Sequence, residues 1–200
     1  MNSKSRSFSF GGHTQTVSFT SIADVLGDEA GGDLIVCDKN TEGFAKGTEP
    51  PKVVLGAGES HKLWPGIEEI LNTAVSLELG RDSRFVGLGG GVICDMAAFA
   101  AAVYMRGCKI TLVPTTLLAM VDASIGGKTG IDFAGYKNLV GAFYPADRVY
   151  ISVDTLSTLP EREYMSGLGE VIKHALLGAE DLLEVLEKNL RVSSPGRRRL

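Results

Sequence analysis

The stretch Phe85-Val86-Gly87-Leu88-Gly89-Gly90-Gly91-Val92-Ile93-Cys94-Asp95 determines where the rest of the chain is placed. It reads as a short apolar strand, three consecutive glycines and the first turn of an Ala-rich helix predicted over 92–104. Glycine lets a backbone turn out of a strand and lets a ligand approach the peptide plane with no Cβ in the way. The helix then presents free N–H groups and its positive dipole end to whatever lies over the turn, and a phosphate or pyrophosphate is the usual guest. The run departs from G-x-G-x-x-G, because the third glycine's position is Cys94 in one register and Asp95 in the next. Glycine clusters also serve as plain packing punctuation, so the turn alone leaves both readings open.

Two hundred residues with 44% hydrophobic content suffice for one ordinary domain, or one domain plus part of another. A net charge of −4 argues against a nucleic-acid or membrane-surface role, which calls for a basic excess. Asp95, Arg106, Lys109 and Asp122 interrupt the most hydrophobic region, so no membrane span is expected. Lys4 and Arg6 are followed by no apolar signal-peptide core, and a cytoplasmic location is expected. Cys37, Cys94 and Cys108 are odd in number and lack C-x-x-C spacing, which indicates small buried apolar residues rather than a disulfide framework or a zinc site. Twenty-five glycines suit a fold with many tight turns around a ligand.

Upstream of the glycine turn, residues 1–12 are polar and Ser-rich and are expected to be loose, with strands predicted over 14–20, 33–37 and 52–55. Asp38, at the end of the second of these, is either a carboxylate for ribose hydroxyls or a cap for the segment after it. Glu59 and Lys62 open an amphipathic helix predicted to run to 79, with Leu63, Ile67, Ile70, Leu71 and Ala74 on one face. Any helix favours a carboxylate in its first turn, so Glu59 has a structural reading too, and His61 is expected at the surface.

Downstream, a strand over 109–113 closes on Pro114-Thr115-Thr116. Gly127-Lys128-Thr129 resembles the end of a P-loop, but the glycine required five residues earlier is Asp122, which would repel a triphosphate. A lysine in a glycine-rich loop still suits a smaller phosphate, and Lys137-Asn138 follows within reach before a strand over 148–153. From Glu161 the pattern is purely helical, with Glu170, Lys173 and His174 at i, i+3 and i+4 on one face. A boundary near Pro160 divides the chain into an α/β domain over 1–160 and a helical segment over 161–200, which has a helix over 181–190 and a basic tail.

Several of these motifs together resemble the 3-dehydroquinate synthases, within the wider sugar-phosphate cyclase family. They are Gly89-Gly90-Gly91-Val92 with Asp95, Tyr104-Met105-Arg106-Gly107, the run from Val113-Pro114-Thr115-Thr116 to Gly126-Gly127-Lys128-Thr129, Lys137-Asn138-Leu139 and Glu170-Val171-Ile172-Lys173. The resemblance covers about 33–177 and implies a Rossmann-like NAD-binding domain followed by the start of an all-helical metal and substrate domain. Asp38, Asn40, Glu59 and Lys62 are then expected near the adenosine end of NAD. Gly90, Gly91, Val92 and Asp95 are expected at the pyrophosphate and nicotinamide side, Thr115 and Thr116 in the same pocket, and Thr158 near the adenine. Lys128 and Lys137 also belong to the implied cofactor set.

The resemblance further implies a shikimate-pathway reaction of aromatic amino acid biosynthesis, in which NAD acts catalytically and a divalent metal, zinc or cobalt, lowers the pKa of the hydroxyl being oxidised. Lys128, Lys137, Asn138 and Arg106 are expected to meet the substrate's phosphate and carboxylate, with Arg106 supplied by a second subunit of a homodimer. Asp122 and Lys173 are expected at the sugar hydroxyls, and Glu170 is the expected metal carboxylate. Two further histidine ligands are expected downstream, whereas His13, His61 and His174 occupy none of those positions. Catalytic zinc normally needs three protein ligands, so the chain is expected to be C-terminally truncated, weakly active or inactive. Another cyclase, an iron- or zinc-dependent polyol dehydrogenase and a non-catalytic NAD-binding module are the alternatives.

Overall fold

The computed structural model describes residues 4–29 and 32–192. Six strands run parallel: β2 (His13–Phe19), β3 (Leu34–Asp38), β4 (Lys52–Leu55), β5 (Arg84–Gly89), β6 (Lys109–Pro114) and β9 (Arg148–Ile151). A seventh, β1 (Lys4–Phe10), pairs antiparallel with β2 at the edge, giving the order β1-β2-β9-β6-β5-β3-β4. Counted in chain order from β3, the parallel strands β3, β4, β5, β6 and β9 run 2-1-3-4-5 across the sheet, so the direction of winding reverses between β3 and β5. Open α/β sheets bind ligands outside the carboxyl ends of the strands at such a reversal. Asp38 ends β3 there, and the glycine run ends β5.

The central strands are continuous apolar runs because both faces are covered. Alternate residues of β3 and β5 point to opposite sides. Leu34, Val36 and Phe85 join the cluster under α3 (Gly91–Val103), while Ile35, Cys37, Val86 and Leu88 pack on the other face with Val25 and Ala45. Helix α2 (Trp64–Ser76) buries Ile67, Ile70 and Ala74 against the first cluster. A short helical turn, α1 (Ile22–Asp24), leads toward β3. After β9 the described chain is helical only, with a 3-10 segment (Val153–Thr158), α4 (Glu161–Leu176) and α5 (Glu180–Val192). This is an α/β Rossmann-like sheet with carboxy-terminal helices.

The structure corrects four expectations. Within residues 1–12, the part from Lys4 to Phe10 is a strand paired antiparallel with β2. Gly11 and Gly12, with φ of 58° and 78°, form the two-residue turn that favours a hairpin. Residues 1–3 and the tail over 193–200 lie outside the described residues. Glu59 and Lys62 do not open the long helix, because Glu59–His61 forms a separate 3-10 turn and α2 starts at Trp64, with Pro65 pre-set for its first turn. Lys128 belongs to a strand: β7 (Lys128–Phe133) and β8 (Tyr136–Phe143) form a second hairpin, turned at Ala134 and Gly135 with φ of 51° and 84°.

The glycine triplet is the fourth. None of Gly89, Gly90 and Gly91 adopts positive φ, so left-handed geometry is not what requires them. They provide room. A Cβ on Gly89 would come within 2.6 Å of Ile93 Cβ, and one on Gly90 within 3.1 Å of Thr116 Cγ2.

Candidate functional site at the carboxyl ends of the strands

A cavity of about 860 Å³ opens over the winding reversal and the amino terminus of α3. Gly90, Gly91, Val92 and Asp95 form one wall, and Asp38 and Asn40 line the adjacent edge. Glu59, Lys62, Thr115, Thr116 and Thr158 also face it. Eleven expected cofactor residues, scattered over 120 positions of sequence, thus share one cavity. Lys128 and Lys137 are not among its lining. Lys128 lines a neighbouring cavity of about 610 Å³ with Asn138, and Asp95 and Asp122 border both cavities. Lys137 is exposed and pairs with Glu59 Oε1 at 3.2 Å.

Arg106 lies beyond the carboxyl end of α3, at the opposite end of a 13-residue helix about 20 Å long. The structure does not bring it to the cavity within one chain. Met105 and Arg106 both hold positive φ, 48° and 63°, a costly backbone conformation for non-glycine residues.

Asp38 fits its capping reading. Its Oδ1 accepts from Asn40 N at 2.9 Å and Thr41 N at 3.0 Å, which closes the turn after β3. Lys62 is the best-tied residue of the site. It is 4% exposed, and its Nζ donates to Asp95 Oδ2 and Asn138 Oδ1, both at 2.5 Å. Its carbonyl accepts from Asp132 N at 2.8 Å, and Asp132 Oδ1 accepts from Asn138 N at 2.8 Å. One lysine therefore joins the approach to α2, the second turn of α3 and the β7–β8 hairpin. Burial holds the Asp95 carboxyl above its usual range against the lowering pull of Lys62, with the charges of Glu59 and Asp122 adding to the rise.

The other side of the site comes from α4. Gly167 lets this helix lie directly on the Leu117–Ala123 segment, since a Cβ there would meet Leu117 Cβ at 2.6 Å and Leu118 N at 2.7 Å. That contact brings Glu170, one turn later, beside Asp122. Glu170 Oε1 pairs with Lys173 Nζ and lies 3.4 Å from His174 Nε2. The hydrogen bond to Glu170 raises the Lys173 ammonium above its usual range; slight burial opposes this, and the charges of Glu170 and Asp122 reinforce it. Ligand-capable atoms of Asp122, Glu170 and His174 all fall within 4.8 Å of one another.

Sequence reasoning missed Thr41, Thr155 and Glu163 in the cavity lining, and Asp132 as the support of Asn138. The glycine inside an otherwise helical pattern at Gly167 was a legible signal of close packing. The three cysteines are buried and free, as expected. Among the described residues no helix is long and apolar enough to cross a membrane.

A family profile described as the 3-dehydroquinate synthase N-terminal region matches residues 52–166, more than half of the chain. The chain belongs to the 3-dehydroquinate synthase family. A curated 3-dehydroquinate synthase from Ruminiclostridium cellulolyticum is 45% identical over 166 residues, covering 78% of this chain and 46% of that protein. The chain thus spans less than half the length of that synthase.

Two solved cyclases share the fold. The 2-epi-5-epi-valiolone synthase of Streptomyces hygroscopicus, solved with NAD+ and Zn2+, superposes with a TM-score of 0.78 at 28% identity over 90% of this chain and 54% of that one. A 2-deoxy-scyllo-inosose synthase with carbaglucose-6-phosphate, NAD+ and Co2+ gives 0.74 at 25% identity over 85% of this chain and 51% of that one.

Proposed function

We propose that this chain is the NAD-binding part of a 3-dehydroquinate synthase. That enzyme converts 3-deoxy-arabino-heptulosonate 7-phosphate to 3-dehydroquinate with loss of phosphate. The observation that carries the reading is the convergence of Asp38, Gly90, Gly91, Asp95 and Thr116 on one cavity at the winding reversal. The higher identity to dehydroquinate synthases than to the other cyclases favours this substrate over theirs.

The residues fit both groups that the family implies. Gly90 leaves a cradle against Thr116 that a Cβ would fill, and the unpaired first-turn N–H groups of α3 suit a pyrophosphate. Asp38 and Asn40 lie where ribose hydroxyls would be held, with Glu59 and Thr158 nearer the adenosine end. For a divalent cation, the donor set around Glu170 is carboxylate and imidazole, which zinc and cobalt accept. When bound, NAD supplies a reversible hydride acceptor and the metal supplies Lewis acidity.

This chain's own residues provide binding and charge placement. Lys128 and Asn138 in the adjoining cavity offer an ammonium and an amide to the substrate's phosphate and carboxylate, and Lys137 stands at the rim. Asp122 and Lys173 address the sugar hydroxyls. Asp95, buried and tied to Lys62, keeps a fixed carboxylate beside the nicotinamide position. In this reading Arg106 acts on the active site of a second copy of the chain, as in a homodimer. The domain division near Pro160 follows from the same reading, since the sheet ends at β9 and α4 supplies Glu170.

Calorimetry of the 200-residue chain with NAD is the test. Binding that Gly90→Val abolishes supports the reading, and absence of NAD binding overturns it. Addition of the heptulosonate phosphate with zinc then measures whether this chain alone turns substrate over.

A further inference from the structure

We infer that Gln15 is a positioning residue for the loop that carries Asp122 and Lys128, acting through Ser124. The proposal rests on the synthase reading for the roles of Asp122 and Lys128 at the substrate, and it adds a residue from outside the span that the family profile matches. Gln15 belongs to β2 and shares a face with Val17, two positions on, which sits in the core under α3. An amide buried completely at such a position costs free energy unless it is hydrogen-bonded. Its Nε2 donates to the Ser124 carbonyl at 3.2 Å, across 109 positions of sequence.

Ser124 stands where that bond governs the site. It closes the helical turn Ala119–Ala123 and is 1% exposed. Its neighbours face the ligand space, since Asp122 and Ala123 border both cavities and Ile125, Gly126 and Lys128 line the smaller one. Gly126 and Gly127 follow with φ of 91° and 75°, a backbone freedom that turns the chain toward Lys128 and fixes nothing by itself. The loop is therefore placed from its two ends. Gly127 O accepts from Tyr144 N at 2.7 Å at one end, and Gln15 holds the other. The same two residues carry a second, complementary pair of groups: Gln15 Oε1 and Ser124 Oγ are both buried, and neither has a partner among the described residues. A hydroxyl donates and an amide oxygen accepts. The inferred tie joins these atoms directly or through one buried water, which makes the single bond a two-point clasp.

The probe is inorganic phosphate, titrated at constant ionic strength into the 200-residue chain carrying ¹³C-dimethylated lysines. The Lys128 signal, identified by its absence in Lys128→Arg, reports binding in the smaller cavity. Gln15→Met keeps the length of the side chain and removes both of its hydrogen-bonding groups, and is expected to weaken phosphate binding by about tenfold. Ser124→Ala keeps the backbone bond and removes the hydroxyl, and is expected to weaken it by about threefold. NAD affinity, measured by calorimetry on the same samples, is expected to stay within about twofold in both variants, a split between ligands that a merely structural role would not produce. Circular dichroism establishes that each variant is folded, and Ser124→Ala decides the matter if Gln15→Met does not fold. Unchanged phosphate affinity overturns the proposal, as does a parallel loss of phosphate and NAD binding. A Lys128 signal that phosphate leaves unmoved in the unaltered chain overturns it too, because the loop then has no anion to meet. Weaker phosphate binding in the variants with no NAD binding in any sample sustains the tie and overturns the synthase reading, and NAD binding with phosphate affinity unaltered by the variants does the reverse.

Discussion

Two lysine–carboxylate pairs lie within electrostatic reach of Asp122, and they are built in opposite ways. In the first, Lys62 and Asp95 have side chains 5% and 18% exposed, and the lysine is shared among three elements. In the second, Lys173 and Glu170 sit three residues apart on one helix, with the lysine 52% exposed and the carboxylate 17%. A buried ammonium cannot fall back on water, so its partners are fixed. An exposed one exchanges its partner freely. The comparison separates a pair that organises the cavity at the winding reversal from a pair that only neutralises a carboxylate on one helix.

The largest effect expected from this contrast is at Asp95. Asp95→Ala leaves the Lys62 ammonium buried with Asn138 as its remaining side-chain partner, and is expected to cost about 3–5 kcal/mol of stability. Urea denaturation measures it. A loss under about 1 kcal/mol would show that Lys62 is solvated in solution, and the distinction between the pairs would fail. Lys62→Met on the Asp95→Ala background should restore part of the loss, because it removes the stranded charge.

The second expected effect concerns how α4 is seated. Gly167→Val forces a side chain into Leu117 and the backbone of Leu118, and overpacking of this kind costs about 1–3 kcal/mol. Because the same contact seats the turn of α4 that carries Glu170, the metal carboxylate of the proposed reading, cobalt affinity should fall with stability. A variant that loses stability and keeps cobalt affinity would mean that the two elements find each other without this glycine.

The same contrast explains what could be read in the sequence. Strands β3 to β6 and helix α3 were legible because burial on both faces leaves continuous apolar runs and an Ala-rich segment. β2 was legible as a strand over 14–20, whereas β1 was hidden by its serines, although the alternation of Ser and Phe before Gly11-Gly12 carried the signal. The β7–β8 hairpin was obscured by Lys128 and the glycines before it, and its Ala134-Gly135 turn is a weak marker. Of the site, the residues that share the larger cavity were legible through the family motifs, and the shared face of Glu170 and His174 through spacing alone. The burial of Lys62 and the arrival of Asp122 were not legible. Each depends on contacts between elements far apart in sequence, and no local pattern encodes those.

The buried thiols give a third, smaller effect on the rigid side. Burial, with the charges of Asp38 and Glu42 adding to it, pushes Cys37 from 9.0 up to about 11, and burial pushes Cys108 up to about 12. A thiol whose folded pKa lies above its unfolded value contributes stability that is full below pH 9 and is lost as pH rises through the folded value. At pH 10 the expected loss is about 1 kcal/mol for each thiol. Urea midpoints between pH 8 and about pH 10.5 should fall accordingly, less steeply in Cys37→Ala. A flat profile would mean that the unfolded chain ionises no more readily than the native one.

The smallest effect is expected at the exposed pair, and it is the one that defines the comparison. Glu170→Gln removes the Lys173 contact, but Lys173 is already half in water and an i,i+3 pair of this kind contributes about 0.5 kcal/mol or less. The same change also removes repulsion between Glu170 and Asp122, which opposes even that loss. Stability in urea should therefore change by no more than about 0.5 kcal/mol, and the remaining difference should shrink as salt is raised. Cobalt binding, in contrast, should disappear. A residue that matters little to the fold and decisively to a cation is what the metal carboxylate of the proposed reading requires. A stability loss near that of Asp95→Ala would instead make Glu170 a structural anchor of α4, and the two pairs would then be the same device built twice.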